Sequence, residues 1–128
     1  MPSMRVVVDQ ENPGIRRVFV NGEIDLAASA ELQTRLAEAS RGAAAVVIVD
    51  LSECLFIDSR GLSTLLNAAR RLTRTRGALA VVCPNPTPRR VFEITGTSDT
   101  LNVAATDEEA RLMALAWRER LSRATTSA

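Results

Sequence analysis

Six residues, Val46–Leu51 (VVIVDL), constrain the fold of this chain more than any others. Five of them are apolar and four are β-branched, with no alternation of polar and apolar positions. Such a run reads as a central strand buried on both faces, which needs a layer of structure above it and another below. Ala78–Cys83 (ALAVVC) is a second buried strand of the same kind. Between the two lie Leu62, Leu65, Leu66, Ala69 and Leu72. That spacing predicts an amphipathic helix over about residues 59–76, with Gly77 as its C-terminal stop. Two buried strands joined by a helix imply a parallel crossover.

The rest of the chain extends this plan. Arg5–Asp9 (RVVVD) and Arg16–Val20 (RRVFV) flank the turn signal Asn12-Pro13-Gly14 and are expected to pair as an antiparallel hairpin. Ala28, Leu32, Leu36 and Ala39 mark a helix capped by Ser29 or Asp25 and ended by Gly42. Thr87 and Pro88 read as the N-cap and first-turn proline of a short helix ending near Gly96. Leu101–Ala104 is a last short strand. Thr106, with acids at 107–109, opens a terminal helix through a capping box, and Ala110, Met113, Trp117 and Leu121 form its apolar face. Residues 124–128 are expected to fray. The order β-β-α-β-α-β-α-β-α describes an α/β fold with a mixed, mostly parallel sheet. At 128 residues it forms a single domain, 1–128, with a core of about 5–121.

Composition removes whole classes of chemistry. The chain has no His, Lys or Tyr, and all 16 basic residues are Arg. Imidazole-based catalysis, Schiff-base chemistry and a P-loop each need a residue that is missing. Metal ligands would have to come from Cys54, Cys83 and carboxylates alone, and no metal or other cofactor is expected. The two cysteines lie in or beside apolar runs and read as reduced core thiols. Only Phe19, Phe56, Phe92 and Trp117 are aromatic, they read mostly as core, and the net charge is only +1, so a nucleic-acid partner is not expected. The N-terminus lacks a signal-peptide apolar core, and the longest apolar run, 43–49, is far too short to span a bilayer. A cytoplasmic location with no membrane partner is expected.

The central strand leads into the segment 52–62, SECLFIDSRGL. Asp58 or Ser59 is placed to cap the helix that follows, which is ordinary capping chemistry. Gly61 in the first turn permits close approach of other backbone. Charge makes the region distinctive. Residues 1–58 hold five Arg and nine acids, whereas residues 59–128 hold eleven Arg and six acids. From Ser59 to Phe92 there are seven Arg and no acid. Ser59, Ser63, Asn67, Arg70 and Arg74 step along one helical stripe opposite the leucines. This stripe is either a solvated face or a docking surface for an acidic or phosphate-bearing partner.

The segment 46–66 resembles the signature of the STAS domain, and in particular of bacterial anti-sigma factor antagonists: a hydrophobic strand, a short connector, then Asp-Ser, one residue and Gly-Leu. Three further pieces resemble the same family in the same order. They are Asn21-Gly22-Glu23-Ile24-Asp25, the segment 88–96 (PRRVFEITG) and Asp107-Glu108-Glu109-Ala110. The resemblance spans about residues 5–121.

It implies a regulated partner switch. The Ser after the motif Asp, here Ser59, would be phosphorylated by an anti-sigma factor with serine-kinase activity. The unphosphorylated form would bind that anti-sigma factor and release a sigma factor. A metal-dependent serine phosphatase would reverse the modification. Asp25, Asp58, Ser59, Arg60, Gly61, Ser63, Asn67 and Arg70 are the candidate partner-binding residues, with no catalytic residue among them. Arg60 departs from the family, which usually has Ser, Thr or Ala there; it is placed to pair with a phosphate, to read an acidic surface or to point to solvent. Ser63 is a second hydroxyl on the stripe. The alternative reading is a non-catalytic STAS subunit of a signalling scaffold or lipid-transport complex. A small hydrolase using Ser59 and Asp58 would lack a base.

Overall fold

The apolar runs line up as neighbouring strands of one five-stranded sheet in a computed structural model, which describes residues 3–126. The strands are β1 (Ser3–Val8), β2 (Ile15–Asn21), β3 (Val46–Glu53), β4 (Ala78–Val82) and β5 (Val103–Ala104). Their spatial order follows the chain, β1-β2-β3-β4-β5. β1 pairs antiparallel to β2 in the expected hairpin, and every other pairing is parallel. Each parallel step is bridged by a helix: α1 (Leu26–Ala39), α2 (Ser59–Arg74) and α3 (Pro86–Thr95). A last helix, α4 (Asp107–Thr126), follows β5.

β3 is the middle strand and is buried on both faces, as its composition requires. Val47, Val49 and Leu51 face a core shared with α1, α2 and Phe92 of α3. Val46 and Ile48 face a smaller core closed by Ala110 and Ala114 of α4. The alternation of a pleated strand thus serves two layers with one apolar run. α4 meets the sheet through the small side chains of Ala110 and Ala114, where α1 and α2 present Leu.

Several boundaries differ from the sequence expectation, each for a local reason. α1 ends at Ala39, where the Ser40 N–H bonds the Leu36 carbonyl; Gly42 lies beyond it, at φ +91°. α2 ends at Arg74 with Thr75 as its C-cap, and the left-handed residue after it is Arg76, at φ +63°. Gly77 is needed for space: a Cβ there would run into the backbone carbonyl oxygen of Ala45. The N-cap of α3 is Asn85, and Thr87 lies inside the first turn. β5 is only Val103–Ala104, because Leu101 and Asn102 belong to the preceding turn and the Asn102 side chain bonds the Leu79 carbonyl. α4 continues to Thr126, so residues 124–126 are helical; 127 and 128 lie outside the described residues. Of the aromatics expected to be mostly core, Phe92 is fully buried and Phe56 is exposed.

One charged cluster ties the hairpin to α4. The Arg17 guanidinium donates two bonds to the Asp107 carboxylate, at 2.7 and 2.8 Å, and a third to Asp9 at 2.8 Å. The forked geometry suits Arg and not Lys. The Arg17 bond, joined by the N–H groups of Glu11 and Asn12, holds the Asp9 carboxyl down at about 2. A carboxylate whose folded value lies below its ordinary one of about 3.9 adds stability that is present above that value and is lost as pH falls towards about 2. Asp9→Asn is therefore expected to lower the urea midpoint at neutral pH, and the gap to wild type is expected to close between about pH 4 and pH 2. A gap that stays constant with pH would contradict this role for Asp9.

Candidate functional site

Because β2 to β5 are parallel, the N-termini of all four helices gather at the C-terminal edge of the sheet. That edge is where open α/β sheets place their sites. Two of these helix starts are locked side by side. Ile24 and Ile57 form an isolated parallel bridge. The Ile24 N–H bonds the Phe56 carbonyl at 2.9 Å, and the Asp58 N–H bonds the Ile24 carbonyl at 3.1 Å. The residue after each isoleucine is an aspartate that caps a helix. Asp25 accepts from the Ala28 N–H and Asp58 from the Gly61 N–H, each at 2.9 Å. The open choices at both caps are settled: Ser29 lies inside α1, bonded to the Leu26 carbonyl, and Asp58 leaves Ser59 free as the first residue of α2.

Ser59 is exposed, and no hydrogen bond within the described residues occupies its hydroxyl. Its side chain is not needed as a cap, because Asp58 already supplies the oxygen. Gly61 is buried against Ile24 and Ile57: a Cβ there would stand 2.5 Å from Ile24 Cγ2 and 2.9 Å from Ile57 Cγ1. The close approach that glycine permits is thus to two side chains of the bridge, and not to backbone as the sequence suggested. The stripe Ser59, Ser63, Asn67, Arg70 and Arg74 is exposed along its whole length. Arg70 reaches Asn67 at 3.4 Å, and none of the α2 arginines lies in an ion pair among the described residues.

Two parts of the site escaped sequence reasoning. The first is the contribution of α1. Ser59, Arg60, Ser63 and Asn67 border a groove of about 580 Å³, and its opposite wall is Leu26, Ala30 and Gln33. Leu26 is 60% exposed. Its position one residue past a cap, off the apolar face of α1, was the available signal. The second is Asn85, whose side-chain amide donates to the carbonyls of Ser52 and Cys54 at 2.9 and 3.0 Å. It clamps the connector that carries Leu55 and Phe56, both exposed, up to Asp58.

Under that connector lie Cys54 and Cys83, fully buried. Burial raises both thiols, Cys83 to about 11 with the neighbouring Cys54 adding to it. Among the described residues, no cluster of three or more His, Cys, Asp or Glu is arranged to hold a metal, and no helix is long and apolar enough to cross a membrane.

This arrangement matches a known domain family. The STAS domain family model matches residues 7–110, and the chain belongs to that family. Its relatives point to one branch. It is 30% identical over 90 residues to an anti-sigma F factor antagonist of Lysinibacillus sphaericus, covering 70% of this chain and 76% of the relative. Among solved structures, an anti-sigma factor antagonist from Mycobacterium paratuberculosis superposes with a TM-score of 0.78 at 25% identity, covering 89% of this chain and 94% of that one. The Bacillus cell fate determinant SpoIIAA, solved in its phosphorylated form, superposes with a TM-score of 0.63 at 26% identity, covering 84% and 96%.

Two outcomes are expected. Gly61→Ala gains helix propensity of about 1 kcal/mol, but crowding the branched atoms of Ile24 and Ile57 costs about 1–3 kcal/mol. The variant is expected to be less stable in a urea titration, with the amide signals of Ile24 and Asp58 displaced. Equal or greater stability would mean that the bridge yields freely. Cys54 and Cys83 are expected to resist an aromatic disulfide reagent at about pH 8 in the native protein and to react fully in denaturant.

Proposed function

We propose that this chain is an anti-sigma factor antagonist whose regulatory residue is Ser59. In its unmodified form it binds an anti-sigma factor with serine-kinase activity and thereby releases a sigma factor. The observation that carries this reading is Ser59 itself: an exposed, unengaged hydroxyl in the first turn of α2, beside a cap that already has its carboxylate. The Lysinibacillus and Bacillus relatives support it, one by its name and the other by its phosphorylated form.

The partner transfers the γ-phosphoryl group of ATP to Ser59 Oγ. The serine hydroxyl loses its proton, the new P–O bond replaces the bond to ADP, and ADP leaves. The product carries a charge of about −1.5 to −2 at one point of the docking face. The free N–H groups and dipole of a helix N-terminus tolerate that anion in water. In a close-packed interface it must be desolvated next to the carboxylate of Asp58, which repels it. Binding is lost while the fold stays as it is. A metal-dependent serine phosphatase hydrolyses the ester and restores the hydroxyl. The protein is a substrate and a binding module with no catalytic group of its own, acting in the cytoplasm. Asp25, Asp58 and Gly61 build the platform; Arg60, Ser63, Asn67 and Arg70 extend its surface along α2.

Affinity capture from the native cell tests this. Ser59→Ala is expected to retain the kinase-like partner under all conditions, and Ser59→Asp to lose it. Intact-mass spectrometry of the native protein is expected to show a species heavier by roughly 80 Da that maps to Ser59. Equal capture by both variants, or a phosphate mapping elsewhere, would sink the reading.

A further inference from the structure

The α1–α2 groove extends the proposed docking surface beyond the first turn of α2 and onto α1. Arg60, Thr64, Asn67 and Arg71 fall at i, i+4, i+7 and i+11 on α2 and line one wall. Leu26, Ala30 and Gln33 fall at i, i+4 and i+7 on α1 and line the other. Two matched helical stripes therefore face each other across a channel about 16 Å long, the rise of eleven helical residues. Each end of the α2 wall carries a guanidinium. The middle is hydroxyl and amide, and the α1 wall begins with an exposed leucine.

The charges are unbalanced in a definite way. No acid lines the groove. The acids of α1 are occupied elsewhere: Glu31 and Glu38 both pair with Arg35. Arg60 and Arg71 lie in no ion pair among the described residues. The occupant that fits is a protein segment with carboxylates about 16 Å apart and small apolar or amide side chains between them. Two cations at that separation, with no aromatic on either wall, do not match the close phosphate repeat and stacking of nucleic acid.

We infer that the α1–α2 groove docks an acidic segment of the partner protein, held at its two ends by Arg60 and Arg71. The groove selects the partner, and Ser59 at its rim decides whether the partner stays. Arg60 is then a specificity-determining residue. This inference rests on the proposed partner switch for the existence of a protein partner.

A titration of the ¹⁵N-labelled full chain tests it. The probe is an Ala/Leu-based helical peptide of about 15 residues with two Glu eleven positions apart. Controls are the same peptide with Gln for Glu, an RNA of similar length, and inorganic phosphate. The acidic peptide is expected to shift the amides of Ala30, Gln33, Thr64 and Asn67, and the Gln peptide is expected to leave them in place. Arg60→Gln and Arg71→Gln are each expected to weaken the acidic peptide about three- to fivefold, with the remaining spectrum showing the fold retained. Shifts of equal size with the Gln peptide, or unchanged affinity in both variants, would overturn the inference. So would RNA or phosphate moving these amides at lower concentration than the peptide. Failure here is separable from failure of the switch. A silent groove in a chain phosphorylated at Ser59 in its native cell removes only the groove, and a responsive groove in a chain never phosphorylated removes only the switch.

Discussion

The Ile24–Ile57 bridge is the contact on which the candidate site depends. It is a single parallel pairing outside the main strands, and it fixes the chain at the point where two helices begin. Each isoleucine is followed by a capping aspartate, so the bridge sets both caps and both helix directions at once. The absence of a side chain at Gly61 lets α2 descend onto the bridge, and the Asn85 amide holds the connector leading up to it. Ser59 is held in place because the backbone N–H groups of Asp58 before it and Gly61 after it are engaged, while its own hydroxyl stays free.

Charge in this chain is organised by the fold as well as by position along the sequence. Five of the nine acids in residues 1–58 serve caps and local arginines: Asp25 and Asp58 at helix starts, Asp9 on Arg17, and Glu31 and Glu38 on Arg35. The arginines of α2 have no such internal use. A chain that is nearly neutral overall therefore exposes one face whose positive charge is available to something outside it. Isolated surface ion pairs contribute little to stability, so leaving these arginines unpaired costs the fold little.

Most of the architecture was legible in the sequence because it rests on periodicity. VVIVDL is buried on both sides because its alternate residues serve two cores, and the leucines of α2 point inward at the spacing that predicted them. The Asp-Ser signature and the exposed stripe were legible for the same reason: both are local. What escaped was long-range. The Asn85 side chain bonds carbonyls 31 and 33 residues away, and no local pattern announces that. The α1 wall of the groove depends on how two helices face each other, which neither helix encodes alone. Gly77 was noticed as a helix stop, yet its small size serves contact with Ala45 in the neighbouring strand-start. Helix ends were misplaced towards glycines because Ser40 and Thr75 close α1 and α2 with their own hydrogen bonds.

The turn before β3 has a practical consequence. Gly42 sits there in open space at φ +91°, with no other atom within 4 Å of where a Cβ would be. The eight residues of β3 separate that turn from the connector to Ser59, a distance of roughly 25 Å at the rise of an extended strand. Gly42 thus marks the pole of the domain opposite Ser59. A fluorophore, surface tether or fused reporter attached beside Gly42 would sit at the far end of the central strand from Ser59 and leave the first turn of α2 clear.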